Sequence, residues 1–305
     1  MTKPERTQLA RGITYGGFAY VGWGLAPLFW TTLHPASALE ILANRVLWSF
    51  VLIVPLVYFQ KRITHVRAAL AQRKTLLLLV AASLLIGSNW GLFIWATMNG
   101  HILDTSLGYF ITPLFSVGLG VFFLKERLRK LQWVAIAIAF SAVVYITWEH
   151  HRPPWVGLAL SSSFALYGYV KKVANVDAME SLLIETAVLV PFAVGYLMWL
   201  AHLGTNSFFT HGTSHSLMLA SAGVITAVPL MMYGAAVVRV PLVFIGFMQY
   251  ISSTIQFFLG TWVFHEPMSL ARFAGFAITW VALVVLSVDS VRQRRGQLTH
   301  VVEFD

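Results

Sequence analysis

Ten runs of apolar residues, each close to 20 long, follow one another with only short turns between them. They cover residues 11–31, 38–59, 75–98, 104–124, 130–148, 154–172, 179–201, 215–237, 241–263 and 268–288. A hydrocarbon layer of about 30 Å needs roughly 20 residues of helix, so each run has the length of a membrane crossing. Inside lipid, every backbone N–H and C=O must find its partner within the chain, which makes such a run a helix. Composition agrees: 58% of the 305 residues are hydrophobic and 11% charged, against about a quarter charged in soluble domains. The expected fold is an all-α membrane protein with ten transmembrane helices. No gap between runs could hold a soluble domain, and a polar cytoplasmic tail is expected over 289–305. The first run is too long for a signal-peptide core and lacks a small-residue cleavage site, so it is expected to be retained.

The net charge of +9 would suit nucleic acid if it were clustered, but it is distributed among turns. One set of alternate turns and the two ends hold Lys3, Arg6, Arg11, Lys61, Arg62, Arg67, Arg73, Lys74, Lys125, Arg127, Arg129, Lys130, Lys171, Lys172, Arg239, Arg292, Arg294 and Arg295. The other turns hold Arg152 and Arg272, and Arg45 lies within a span. With 18 of 21 basic residues on one face, the positive-inside rule puts both termini in the cytoplasm of a multi-pass protein of the cell's inner membrane. The expected surroundings are a lipid bilayer and no nucleic acid. The chain has no cysteine, so disulfides and thiolate metal sites are excluded.

The run ending Gly120…Lys125-Glu126 has a counterpart ending Gly260…His265-Glu266, 140 residues later. At the same shift Ala38 matches Ala178, Glu40 Glu180, Ala82 Ala222, and Ala142 Ala282. Two five-helix units are expected, at 11–148 and 154–288. Because five is odd, the second must lie inverted in the membrane, an architecture that places substrate near midplane between the halves.

These residues resemble the EamA family of the drug/metabolite transporter superfamily, whose repeats close their fourth helix with a Gly…Glu signature. Within it the resemblance is nearest to the RarD-type permeases. It is carried by Ala38-Leu39-Glu40-Ile41-Leu42-Ala43-Asn44-Arg45, by Gly87-Ser88-Asn89-Trp90 and by Leu107-Gly108-Tyr109-Phe110. Position 44 is Asn where that group commonly has His, and position 112 is Thr where it often has Asn. The resemblance implies a ten-helix inner-membrane permease that exports small metabolites or drugs.

Candidate site residues follow from the cost of polarity in lipid. Arg45 lies about 10 Å below the outer boundary, where a guanidinium costs about 3 kcal/mol and should face the bundle interior. It either snorkels or joins a fixed pair, or else it anchors an anionic substrate group. Glu185, its counterpart at the 140 shift, is a candidate proton-coupling residue; together the two could bracket a zwitterionic, amino-acid-like substrate. Gln249, Ser253 and Gln256 form a polar stripe in the ninth span, and Thr112 belongs to a small-residue stripe in the fourth. Tyr20, Trp23, Asn89, Trp90 and Tyr109 are mid-span aromatic and amide groups able to line a pocket. Trp30 reads as interfacial belt. Glu126 and Glu266 each precede a helix, whose dipole a carboxylate complements. His211 and His215 have metal-ligand spacing without an acidic third ligand, so neither metal nor cofactor is expected.

No ATP-hydrolysing loop is present, so the leading expectation is a non-enzymatic secondary transporter of a small molecule. The alternatives are an intramembrane enzyme acting on lipids or peptides, or a passive channel. His265-Glu266 lacks a second zinc histidine and no Gly-x-Ser-x-Gly turn occurs, which counts against the enzyme.

Overall fold

The computed structural model describes residues 3–98, 102–150, 155–208 and 210–265, and within the last span residues 270, 273–275, 277–278, 280–282 and 284–285. The described residues are helical almost throughout: α1 Lys3–Trp30, α2 Ala38–Phe59, α3 Ile63–Ala71, α4 Arg73–Met98, α5 Ile102–Phe122, α6 Lys130–His150, α7 Trp155–Ala174, α8 Ala178–His202, α9 Gly212–Val237 and α10 Leu242–Phe258. A π-helical turn, Leu259–Val263, extends α10, and a last apolar helix runs Phe273–Ala282. Five of these stretches are long and apolar enough to cross a bilayer: Ala38–Phe59, Arg73–Ala96, Ala178–His202, Gly212–Val237 and Leu242–Val263. The Glu266 turn, Arg152, Arg272 and the tail over 289–305 lie outside the described residues.

One helix departs from expectation. Between the first basic turn and α4, the chain forms α3, a nine-residue helix with Val66 and Ala69 buried. Lys61 ends α2 in the left-handed conformation (φ 56°) and starts this excursion. α3 is too short and too polar to register as an apolar run.

Sequence-distant helices make the core. α5 and α4 pack on α7, while α1 packs on α10 and α9; α2 meets α8 and α9, and α5 meets α10. The α5–α10 and α2–α8 pairs are antiparallel, since the end of α5 touches the start of α10 through Glu126 and the end of α2 touches the start of α8 through Arg62 and Asp177. Small residues permit this proximity. A Cβ on Gly223 of α9 would sit 2.5 Å from the Trp48 backbone of α2.

The two turns that close α5 and α10 have the same backbone form. Lys125 and His265 are both left-handed (φ 55° and 50°), and the Leu124 N–H donates to Leu119 O as the Phe264 N–H donates to Leu259 O. Glu126, however, does not serve the helix that follows it. Its carboxylate accepts from the N–H groups of Leu242 (2.7 Å) and Val243 (3.0 Å), which cap α10. The reason is geometric: the left-handed Lys125 and the Glu126 N–H bond to Gly120 O (2.9 Å) turn the chain back over α5, toward its antiparallel neighbour.

Candidate functional site

Arg45, in the second turn of α2, is 6% exposed. Its guanidinium carbon lies over two indoles, 4.4 Å from the Trp30 ring centroid and 4.5 Å from that of Trp90. These contacts replace part of the hydration a cation loses in lipid. Nε donates to Thr226 Oγ1 of α9 at 2.9 Å. No acidic side chain pairs with Arg45 among the described residues.

Arg45 of α2 lines a cavity of about 70 Å³ whose walls come from seven helices, the others supplying Trp23, Pro27 and Trp30 (α1), Asn89, Trp90 and Phe93 (α4), Tyr109 (α5), Phe164 (α7), Ile225 (α9), and Gln249, Ser252 and Gln256 (α10). Asn89 is tied to α7 by its amide, which donates to Leu160 O and Ser163 Oγ, both at 2.9 Å. The Gln256 amide donates to Trp23 O (3.2 Å) and Ser252 Oγ (3.4 Å).

Of the residues singled out in the sequence, Arg45, Trp23, Asn89, Trp90, Tyr109, Gln249 and Gln256 therefore meet at one cavity. Tyr20 does not line it: its ring lies fully buried behind Trp23, 5.5 Å between centroids. Thr112 is buried in α5 and Ser253 donates to Gln249 O, away from the walls; Ser252, one residue earlier, lines the cavity instead. Trp30, read as interfacial, covers one face of Arg45, and Thr226 was not anticipated because its partner is 181 positions away. The cost of a buried guanidinium was the signal that could have drawn Trp30 inward.

Glu185 lies outside this cavity, in a second polar cluster between α7 and α8. Lys171 Nζ donates to Glu185 Oε1 at 2.7 Å and to Ser181 Oγ at 2.8 Å. Ser181 Oγ also bonds Glu185 Oε1 (2.5 Å), and the Tyr167 hydroxyl donates to Oε2 (3.0 Å). Lys171, counted from sequence among the cytoplasmic turn charges, is 3% exposed. Aromatic rings separate the two clusters: Tyr167 stacks on Tyr233 at 5.8 Å, and Tyr233 meets Trp23 at 5.4 Å.

A helical membrane protein with a small, partly polar cavity walled by helices from along the whole chain has the form of a membrane transporter. The comparisons agree. The model of the EamA-like transporter family matches residues 10–148. Protein RarD of Streptomyces exfoliatus is 45% identical over 93% of this chain and 90% of its own length. Protein RarD of Escherichia coli strain K12 is 37% identical over 95% of this chain and 98% of its own, and the uncharacterized transporter YojE of Bacillus subtilis is 37% identical over 97% and 100%. A solved crystal structure superposes with a TM-score of 0.67 at 12% identity, over 92% of this chain and 98% of that one, which establishes a shared fold. The chain belongs to the EamA-like transporter family, and the relatives it matches include proteins named RarD.

Proposed function

We propose that this transporter is a secondary exporter of a small metabolite, working by alternating access between two inverted five-helix repeats, 11–148 and 154–288, with ten spans and both termini cytoplasmic. The Arg45 cavity is the substrate site. The observation that carries this is a buried guanidinium with no carboxylate partner among the described residues, lining a cavity whose walls come from both proposed halves. An intramembrane cation in that setting marks a substrate or ion path.

Several features support the repeat. Exchanging each helix for its counterpart in the other half turns the α5–α7 contact into α10–α1 and the α4–α7 contact into α9–α1, and both occur. The self-pairs α2–α8 and α5–α10 are antiparallel, as an inversion requires. The turns at Lys125 and His265 share a conformation. Trp23, Arg45, Asn89, Trp90, Tyr109, Gln249 and Gln256 contact substrate in this proposal, whereas Tyr20, Thr112 and Ser253 act from behind the wall. Glu185 holds a fixed ion pair with Lys171, since its oxygens are matched and it lies apart from the cavity.

The test is an untargeted comparison of metabolites outside cells that overproduce the protein or its Arg45→Ala variant. At least one metabolite should accumulate with the parent protein only. In sealed vesicles, a gradient of that metabolite collapsed by an uncoupler distinguishes an exporter from a pore; no gradient at all refutes active transport.

A further inference from the structure

We propose that the occupant of the Arg45 cavity is a single short-chain monocarboxylate, held end-on by the two terminal nitrogens of Arg45. This rests on the transporter reading for its purpose, but its geometry stands by itself.

A guanidinium offers five N–H groups in a rigid plane. Here the central carbon of the guanidinium lies over the rings of both Trp30 and Trp90, so the hydrogen-bonding approach left to a ligand is along the guanidinium edge. One edge, which includes Nε, is taken by Thr226. The remaining fork, between the terminal nitrogens, has no acceptor among the described residues. Two parallel N–H groups match the two oxygens of one carboxylate, and a charge-assisted pair of this kind is strongest where water is excluded.

Charge fixes the valence. The described walls carry one cation and no carboxylate. A monoanion neutralises the site. A cation would meet Arg45 uncompensated, and a dianion would leave a buried negative charge. The ammonium of a zwitterion would find no carboxylate among the described wall residues. Volume fixes the size. About 70 Å³ is room for a few waters, below the 300–1,000 Å³ typical of drug-sized sites. As closed here, the cavity takes a short-chain acid and excludes an aromatic drug.

The experiment is titration calorimetry on the purified full chain in detergent, at constant chloride, with sodium acetate, propionate, benzoate, glycine and tetramethylammonium as probes. Acetate and propionate should bind at one site, each at least about tenfold tighter than the other three, a gap of one decade in Kd. Arg45→Gln should abolish this binding. Arg45→Lys should keep a weakened site, and Thr226→Val should weaken acetate several-fold by freeing Nε to turn; these two guard against misfolding of the glutamine variant. Glycine or tetramethylammonium binding as tightly as acetate would overturn the proposal, as would no carboxylate binding, or acetate affinity unchanged in a folded Arg45→Gln protein. If the Arg45-dependent export signal appears while carboxylates fail to bind, the ligand class is wrong and the transporter stands. If acetate binds through Arg45 but no metabolite is exported, the site stands and the transport reading falls.

Discussion

Removing Lys171 or Glu185 alone should destabilise the protein far more than removing both. The two side chains are each 2% exposed and lie 2.7 Å apart. Lys171→Met leaves Glu185 with the Tyr167 and Ser181 hydroxyls but without a countercharge. Breaking a buried pair on one side costs about 3–5 kcal/mol. The lower end applies here, because protonation of the stranded carboxylate offsets part of the cost. The double variant Lys171→Met/Glu185→Leu leaves no charge behind, and replacement of a buried pair by apolar groups is often near neutral. It should return to within about 1 kcal/mol of the parent, the remainder reflecting the Tyr167 and Ser181 hydroxyls, which lose their carboxylate acceptor. At roughly 2–4 °C per kcal/mol for large domains, the single variants should lose about 6–12 °C in thermal midpoint and the double variant about 2–4 °C. Differential scanning fluorimetry in one detergent at a fixed scan rate measures this, the rate being fixed because membrane proteins often unfold irreversibly. A double variant as unstable as the worse single one would refute the pairing energetics. The same variant also tests coupling: a fixed pair leaves the pH profile of export unchanged, whereas a proton-carrying Glu185 makes the double variant lose its pH dependence.

Glu126→Gln should cost about 1 kcal/mol, seen as a midpoint fall of a few degrees, because one charged acceptor at the α10 terminus becomes neutral. Gly120→Ala should reproduce that loss without adding to it in the double variant, since its methyl would lie 2.8 Å from Glu126 Oε2. Arg62→Ala should cost about 1 kcal/mol: Asp177 is 58% exposed at its side chain, which limits that bond, but Glu180, at 2%, loses the cation it is paired with. The Arg62 guanidinium is held above its ordinary value, first by the hydrogen bond from its side chain to Asp177. A raised basic group stabilises fully below its unfolded pKa and loses that effect only as pH rises through the folded one, so Arg62 should contribute evenly across about pH 5–9 and fail only in strong alkali. Because the chain has no native cysteine, single cysteines at positions 67 and 205 can be labelled from each side of the membrane; labelling of both from the same side would refute the proposed topology.

What could be read from the sequence follows from which costs are local. A run of apolar residues is a local property, so the positions of α2, α4, α8, α9 and α10 agree with the expected spans to within a few residues. Arg45 was legible for the same reason, since a cation in lipid is expensive wherever its partners lie. Those partners were not legible. Trp30 ends its span and has the signature of an interface tryptophan; only the cation beside it draws it inward. Lys171 stands next to Lys172 at the end of α7 and reads as part of a basic turn, yet α7 continues to Ala174 and turns Lys171 into the α7–α8 seam. Lys172, its neighbour, points elsewhere and donates to Val237 O and Val240 O. Helical rotation of about 100° per residue separates two adjacent lysines into different environments, and no composition measure registers that.

The Gly…Glu signature gains a physical meaning from the same seam. Gly120 has to lack a side chain because Glu126 folds back over it, and Glu126 has to be acidic because it faces the unpaired N–H groups of a helix start. Together they attach the end of α5 to the beginning of α10. Lys172 approaches the same carboxylate at 4.0 Å, so α7 joins the junction as well. A contact made of one carboxylate and two backbone N–H groups is directional but modest in energy, about 1–2 kcal/mol. That is strong enough to fix the register of two helices while they are together and, in the proposed alternating-access cycle, weak enough to separate when one half rocks against the other. A cap within a single helix could not do this, because it would never have to break. In that proposal an acidic residue joining α5 to α10 matters to transport even though it does not line the Arg45 cavity.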